Sequence, residues 1–159
     1  MSPAPILIVG IGNPSRGDDA LGPEFVERVG TALADEIAAG RIELLTDFQL
    51  QVEHMLDLTG RRRVVFVDAS ESAEPPFEFT PIEARRDASH SSHVLSPAAL
   101  LDAHRTVVGE PPEAWLLALR GERFELGEPL SPRARASLAA AVDSFVRVIR
   151  ADEGPQSPS

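Results

Sequence analysis

The 159-residue sequence contains no cysteine and no lysine. The absence of cysteine excludes a thiol nucleophile, a disulfide framework and a thiolate metal site. All fifteen basic residues are arginine, so a Walker-type phosphate site and Schiff-base chemistry are excluded as well. Any hydrolytic chemistry must therefore come from Asp, Glu, His, Ser or Thr, with or without a metal.

Two common hydrolase motifs and any long apolar run are also missing. The sequence has neither the G-x-S-x-G turn of serine hydrolases nor the H-E-x-x-H helix of zinc peptidases. No stretch approaches the ~18 apolar residues of a membrane span. The first ten residues, MSPAPILIVG, lack the charged start and long apolar core of a signal peptide. We therefore expect a cytoplasmic protein.

Composition limits the partners and the domain count. The formal net charge is -10 and the arginines are scattered along the chain, which argues against nucleic acid or an anionic membrane as partner. With 43% hydrophobic residues, the chain can bury one substantial core. We predict one domain over residues 1–150 and a flexible tail over residues 151–159.

Strand-like and helix-like patterns alternate along the chain. Strand patterns occupy residues 5–11, 42–45, 63–69, 77–80 and 114–120. Helical patterns occupy residues 23–39 and 50–59, and begin again at the Ser-Pro pairs of residues 96–97 and 131–132. The alternation predicts an α/β three-layer sandwich, with a mostly parallel twisted sheet of about five strands and helices on both faces.

The stretch GIGNPSRGDDALG, residues 10–22, leaves the first strand through a glycine-rich turn. Such turns often bind phosphate at a helix N-terminus, but Asp18 and Asp19 would repel phosphate and attract a metal. In a sheet of flavodoxin-like order, ligands bind in the crevice between the C-terminal ends of the first and third strands. The third strand ends at Asp68, so the carboxylates are expected to converge.

Two histidines follow in the long connection over residues 71–93. His90 and His93 precede the helix that begins at Ser96, so this connection can cross the same crevice. A cluster of aspartates and histidine suits a borderline divalent ion such as Zn or Ni better than calcium. His54 and His104 lie on predicted helices, where we expect surface or packing roles.

Other readings of these residues stay open. Asp18 and Asp19 could stabilise a helix N-terminus through capping and the helix dipole. Asp68 could order a loop, and each histidine of the connection could be a solvated loop residue. These readings do not need the residues to meet, whereas a metal site does.

The ordered pattern of G-x-G-N, an acidic pair, V-D-A at the third strand and S-x-H before a helix resembles the hydrogenase maturation endopeptidases. These proteins remove a C-terminal extension from the large subunit of nickel-iron hydrogenase. The resemblance spans residues 5–150. Segments such as LLTDFQLQVEHMLDL and LRGERFELGEPLSP are most similar to the subgroup that serves soluble, NAD-linked hydrogenases.

The resemblance implies an aspartate- and metal-assisted endopeptidase whose catalytic, metal-contacting residues are Asp19, Asp68 and His93. It implies that the nickel arrives with the substrate, so that a loaded precursor of the large subunit is cut and an unloaded one is not. The metal could polarise the carbonyl or activate water, or a carboxylate could act as base. The chain is expected to act as a monomer.

The sequence departs from the family at two places. Many members have glutamate at the position of Asp19, so that Asp18 could assist the shorter side chain, as His90 could assist His93. The Gly-Thr turn of many relatives is replaced by residues 47–50, DFQL. The alternative function is a non-enzymatic metal- or ligand-binding α/β module. A receiver-like module would need a lysine after its fifth strand, and this sequence has no lysine. A flavin-binding module would bind phosphate at the first turn, where Asp18 and Asp19 would repel it.

Overall fold

The computed structural model describes residues 2–86 and 95–152. Its five strands are β1 (Ile6–Ile11), β2 (Ile42–Asp47), β3 (Arg63–Ser70), β4 (Phe77–Ile82) and β5 (Glu113–Arg120). The α-helices are α1 (Leu21–Ala32), α2 (Ala34–Ala38), α3 (Pro97–Val107) and α4 (Pro132–Asp152), and two 3-10 helices span Gly17–Ala20 and Val52–Leu58. The helix predicted over residues 50–59 is thus a 3-10 helix.

The strands form one sheet in the order β2-β1-β3-β5-β4. β1, β2, β3 and β5 are parallel, and β4 pairs antiparallel with β5. All six residues of β1 are buried, as expected for a central parallel strand covered on both faces. The predicted mostly parallel α/β sheet of five strands is therefore confirmed, including the contact between β1 and β3.

Two apolar cores lie on opposite faces of the sheet. Alternate residues of the central strands point to opposite faces, so Ile8 belongs to one core and Leu7 to the other. The first core contains the apolar stripes of α1 and α4. The second contains residues of α3 and of the 3-10 helix Val52–Leu58. Helices therefore cover both faces, as the sequence predicts.

The edge strand β4 departs from a wholly parallel order. Only six residues, 71–76, connect β3 with β4, whereas a parallel crossover needs a dozen or more. β4 instead reverses direction and pairs with β5, with Phe79 stacked on Trp115 at a ring-centroid distance of 4.9 Å. The chain that continues from β4 leads toward α3.

The last helix is longer than the sequence suggests. α4 has 21 residues and includes Ala151 and Asp152, so the helix extends into the predicted tail, residues 151–159. Residues 153–159 lie outside the described part of the chain. In residues 2–86 and 95–152, no helix combines the length and apolar character needed to cross a membrane.

A close approach between β1 and α1 explains one glycine of the GIGNPSRGDDALG stretch. A Cβ on Gly22 would lie 2.2 Å from the carbonyl oxygen of Ile11 and 2.7 Å from its nitrogen. Both atoms belong to the backbone of the central strand and cannot move aside. Gly22 therefore lets α1 begin directly against the end of β1.

Replacing Gly22 with alanine should lower the free energy of unfolding by about 1–3 kcal/mol, because the added methyl must push α1 away from β1. Gly30→Ala is the matched control on the same helix. Its Cβ would meet only Leu44 Cδ1, at 3.2 Å, and alanine is the better helix former. Urea unfolding would measure both, and equal stability of the two variants would contradict the prediction.

Candidate functional site

The turn that follows β1, residues 12–19, carries the first candidate carboxylate; we call it the aspartate turn. Gly12 has a φ of 147°, and a Cβ there would lie 1.9 Å from the carbonyl oxygen of Asp19. Asn13 tightens the same turn, because its Oδ1 accepts a hydrogen bond from Ser15 N–H at 2.9 Å. The glycine and asparagine of the motif thus fold the chain back so that Asp19 lies beside the end of β1.

Asp19 is partly exposed, and its carboxylate is oriented by the backbone of its own turn. Asn13 N–H donates to Asp19 Oδ2 at 2.7 Å. Within residues 2–86 and 95–152, the other oxygen, Oδ1, accepts no hydrogen bond. One oxygen therefore fixes the carboxylate, and the other remains available to a ligand.

Asp68 stands near the C-terminal end of β3, on the strand next to β1. Val67 pairs with Gly10 of β1, so Asp68 follows at the level where β1 ends. Ala69 N–H donates to Asp68 Oδ1 at 2.8 Å. The pKa of Asp68 is raised to about 7, mainly by burial; the hydrogen bond from Ala69 lowers the pKa, and the nearby charge of Asp19 raises it. The structure therefore brings Asp19 and Asp68 within electrostatic reach of each other.

Asp18 points away from this pair and is fully buried. Its Oδ1 accepts from Ser131 N–H at 2.7 Å, and its Oδ2 accepts from Glu122 N–H at 2.8 Å, Arg123 N–H at 3.0 Å and Ser131 Oγ–H at 2.7 Å. Burial would raise the pKa of Asp18, but these hydrogen bonds outweigh it and lower the pKa. Both oxygens are occupied, so Asp18 does not assist Asp19 as a metal ligand.

Residues 121–131, which we call the strap, lie against the aspartate turn. Asp18 N–H donates to the carbonyl of Arg123 at 2.6 Å, and Gly127 N–H donates to the carbonyl of Ser15 at 2.8 Å. The sequence predicts Ser131 as the N-cap of the last helix, and its Oγ does accept from Ala134 N–H at 3.1 Å. Its second bond, to Asp18, joins residues 113 positions apart, and no local sequence signal could have revealed it.

The aspartate pair has part of the chemistry of a divalent-metal site. Each carboxylate keeps one oxygen without a partner in the described residues, and oxygen donors accept borderline divalent ions. Residues 2–86 and 95–152 contain no cluster of three or more His, Asp or Glu that could hold a metal. His90 and His93 lie outside the described residues, so the predicted histidine ligand remains a prediction.

The other two histidines have local partners. His54 accepts a hydrogen bond at Nδ1 from Gln51 N–H at 2.8 Å, and its Nε2 lies 3.2 Å from Asp47 Oδ2. His104 is buried, with Nδ1 2.8 Å from the carbonyl of Gly109. Both therefore have the surface or packing roles expected from their positions on predicted helices.

A shallow cavity of about 190 Å³ borders the aspartate turn. Its walls come from the turn, from the start of α1 and from the end of β2: Gly12, Pro14, Pro23, Thr46, Asp47 and Phe48. Phe48, which stands in the DFQL segment, is 61% exposed. The cavity therefore lies between the aspartate turn and the DFQL segment.

Comparisons with known proteins identify the fold. No protein-family model and no curated protein matches the sequence. A NiFe hydrogenase maturation protease HycI from Thermococcus kodakarensis has a similar structure, with a TM-score of 0.69 and 21% identity over 91% of this chain and 92% of that one. The hydrogenase maturating endopeptidase HybD from E. coli gives a TM-score of 0.68 and 20% identity over 96% and 94%.

A third structure, the hydrogenase 2 maturation peptidase from a Thaumarchaeota archaeon, gives a TM-score of 0.61 and 23% identity over 91% of this chain and 97% of that one. Each match covers nearly the full length of this chain and of the compared chain. At these identities, the likeness shows a shared fold.

Proposed function

We propose that this protein is an endopeptidase that removes the C-terminal extension from the nickel-loaded large subunit of a nickel-iron hydrogenase. The observation that carries the proposal is the pair formed by Asp19 and Asp68 at the C-terminal ends of β1 and β3. The shared fold supports it, because the structures with similar folds include hydrogenase maturation proteases. The resemblance of the G-x-G-N, acidic-pair and V-D-A pattern supports it independently.

In the proposed reaction, Asp19 and Asp68 bind nickel that the precursor brings with it, so the metal belongs to the substrate. Two carboxylates would leave coordination positions open for the precursor's own ligands. The metal would supply Lewis-acid polarisation or an activated water. Without a metal, the pKa of Asp68 is raised to about 7; a cation held between the two carboxylates would favour the charged form of both.

Finer features of the proposal come from the resemblance. They are His93 as third ligand and an NAD-linked hydrogenase as the enzyme that is matured. We also propose a monomer and a cytoplasmic location, the latter because the sequence has no long apolar run and no signal-peptide pattern. The segments LLTDFQLQVEHMLDL and LRGERFELGEPLSP support the choice of hydrogenase. The second of these, residues 119–132, contains the whole strap, which lies against the aspartate turn.

The direct test is to incubate the purified protein with unprocessed large subunit and to read cleavage by intact mass. Nickel-loaded precursor should lose its C-terminal extension. Nickel-free precursor should remain uncut even when zinc is supplied to the protease. Equal cleavage of both forms would show that nickel loading is not the recognition signal, and no cleavage of either would reject the proposed function.

The alternative of a non-enzymatic module is tested by the same preparation. A flavin-binding module would show flavin absorbance after purification, and a receiver-like module would take up phosphate from a small phosphodonor. The arrangement of the acidic pair favours neither module, because Asp18 is hydrogen-bonded to the strap and only Asp19 faces the crevice. We expect no flavin absorbance and no phosphorylation.

A histidine comparison tests the proposed third ligand. His93→Ala should lower processing by about 100-fold or more, since a ligand position should cost at least as much as an outer-shell partner. His90→Ala should leave processing largely intact and serves as the matched control in the same H-S-S-H segment. Mass-spectrometric rates would separate them, and the reverse pattern would assign the ligand to His90.

A further inference from the structure

Asp18 and Ser131 form the junction between the aspartate turn and the strap. We propose that both are positioning residues, which hold the turn so that Asp19 faces the crevice. The expected effect on processing rests on the proposed endopeptidase function, whereas the expected effect on the turn does not.

The strap depends on this junction for its position. Residues 121–131 contain no helix or strand, so contacts with the aspartate turn must hold them in place. Asp18 accepts three backbone hydrogen bonds from this segment and one from Ser131 Oγ–H. A charged acceptor with several donors makes stronger hydrogen bonds than a neutral pair. Removal of the carboxylate would leave four buried or partly buried donors without their hydrogen-bond acceptor.

Two glycines allow the segments to meet this closely. A Cβ on Gly17 of the turn would lie 2.5 Å from the carbonyl oxygen of Arg123. A Cβ on Gly121 of the strap would lie 2.8 Å from Asp18 Cβ. Each segment therefore lacks a side chain where the other approaches, and the backbone of one packs directly on the other.

The junction also sets the direction of Asp19. Both aspartates lie in the 3-10 helix Gly17–Ala20, where successive side chains point about 120° apart. Anchoring Asp18 inward, toward the strap, therefore turns Asp19 toward the end of β1. The hydrogen bond from Asn13 N–H to Asp19 Oδ2, at 2.7 Å, reports this orientation.

Ser131→Ala tests the proposal with limited disturbance of the fold. It removes the hydroxyl bond to Asp18 and the bond from Ala134 N–H that caps α4, but keeps the bond from Ser131 N–H to Asp18. In the whole protein, hydrogen exchange of the Asn13 amide should accelerate about tenfold or more, as expected when a hydrogen bond in a charged network is lost. Processing of nickel-loaded precursor should fall roughly 10- to 100-fold, because a small misplacement of a reacting group costs that much. Ser131→Thr keeps the hydroxyl and should restore both.

Ile149→Val is the control for loss of stability alone. Ile149 is buried near the other end of α4. Its truncation should lower the melting temperature about as much as Ser131→Ala does. In that variant, exchange at Asn13 and processing should stay close to wild type. Equal acceleration of Asn13 exchange in both variants, or none in Ser131→Ala, would overturn the proposal. If Asn13 responds as expected but the wild-type protein cuts no precursor, the endopeptidase function fails and the positioning role stands.

Discussion

Asp19→Asn should lower the processing rate of nickel-loaded precursor by about 100-fold or more, the loss expected when a metal-contacting charge is removed. Asparagine has nearly the same size, and its carbonyl oxygen can still accept the hydrogen bond from Asn13. The variant therefore changes the charge at the crevice and leaves the turn in place. Single-turnover rates read by mass would measure the effect.

Glu27→Gln is the matched control for this charge change. Glu27 is an exposed residue of α1, so its replacement removes one negative charge without altering the crevice. We expect a wild-type rate in this variant, and an intermediate rate in Asp19→Glu, which keeps the charge on a longer side chain. If the Asp19→Asn variant cleaves the precursor at the wild-type rate, the nickel-gated mechanism is wrong.

Asp68→Asn should make the protein more stable at pH 8 while it lowers processing. The pKa of Asp68 is about 7 in the folded protein and about 3.9 for an unfolded aspartate. Between these values the folded state binds the extra proton, so wild-type stability falls as the pH rises through this window. The total loss of wild-type stability across this window is of the order of 4 kcal/mol, since one pKa unit corresponds to about 1.4 kcal/mol. The amide cannot ionise and avoids this loss.

Urea unfolding in a chelating buffer would measure the effect at several pH values. The stability of Asp68→Asn relative to wild type should increase from pH 5 to pH 7 by about 2–3 kcal/mol and then level off. Asp143→Asn, at an exposed position of α4, should show no such change relative to wild type. A constant difference for Asp68→Asn across this range would mean that burial does not perturb the Asp68 carboxyl.

A gain of stability with a loss of activity would identify Asp68 as a residue retained for function. Burying a carboxylate beside another one is unfavourable unless a cation joins them. Replacement of such residues commonly stabilises a protein at the cost of its activity. The same reasoning explains why Asp18, which is fully buried whereas Asp68 is partly buried, behaves differently: its charge is met by four hydrogen bonds from one neighbouring segment.

The sequence by itself determined the strands and helices that depend on local patterns. The apolar run of β1 and the β-branched run of β3 identify central strands, and the two Ser-Pro pairs mark the starts of α3 and α4. It also predicted that Asp19 and Asp68 meet, because parallel strands with short following turns present their C-terminal ends at one edge. His93 as their partner stays a prediction.

Only the tertiary structure decided what Asp18 does. The local pattern does not distinguish Asp18 from Asp19, and the resemblance that selects Asp19 leaves an assisting role for Asp18 open. In the structure, Asp18 is buried under the strap and Asp19 faces the crevice. The contacts responsible join residues more than a hundred positions apart, and local patterns carry no information about such pairs. The antiparallel pairing of β4 and the raised pKa of Asp68 have the same origin, because pairing, burial and neighbouring charge depend on which distant segments pack together.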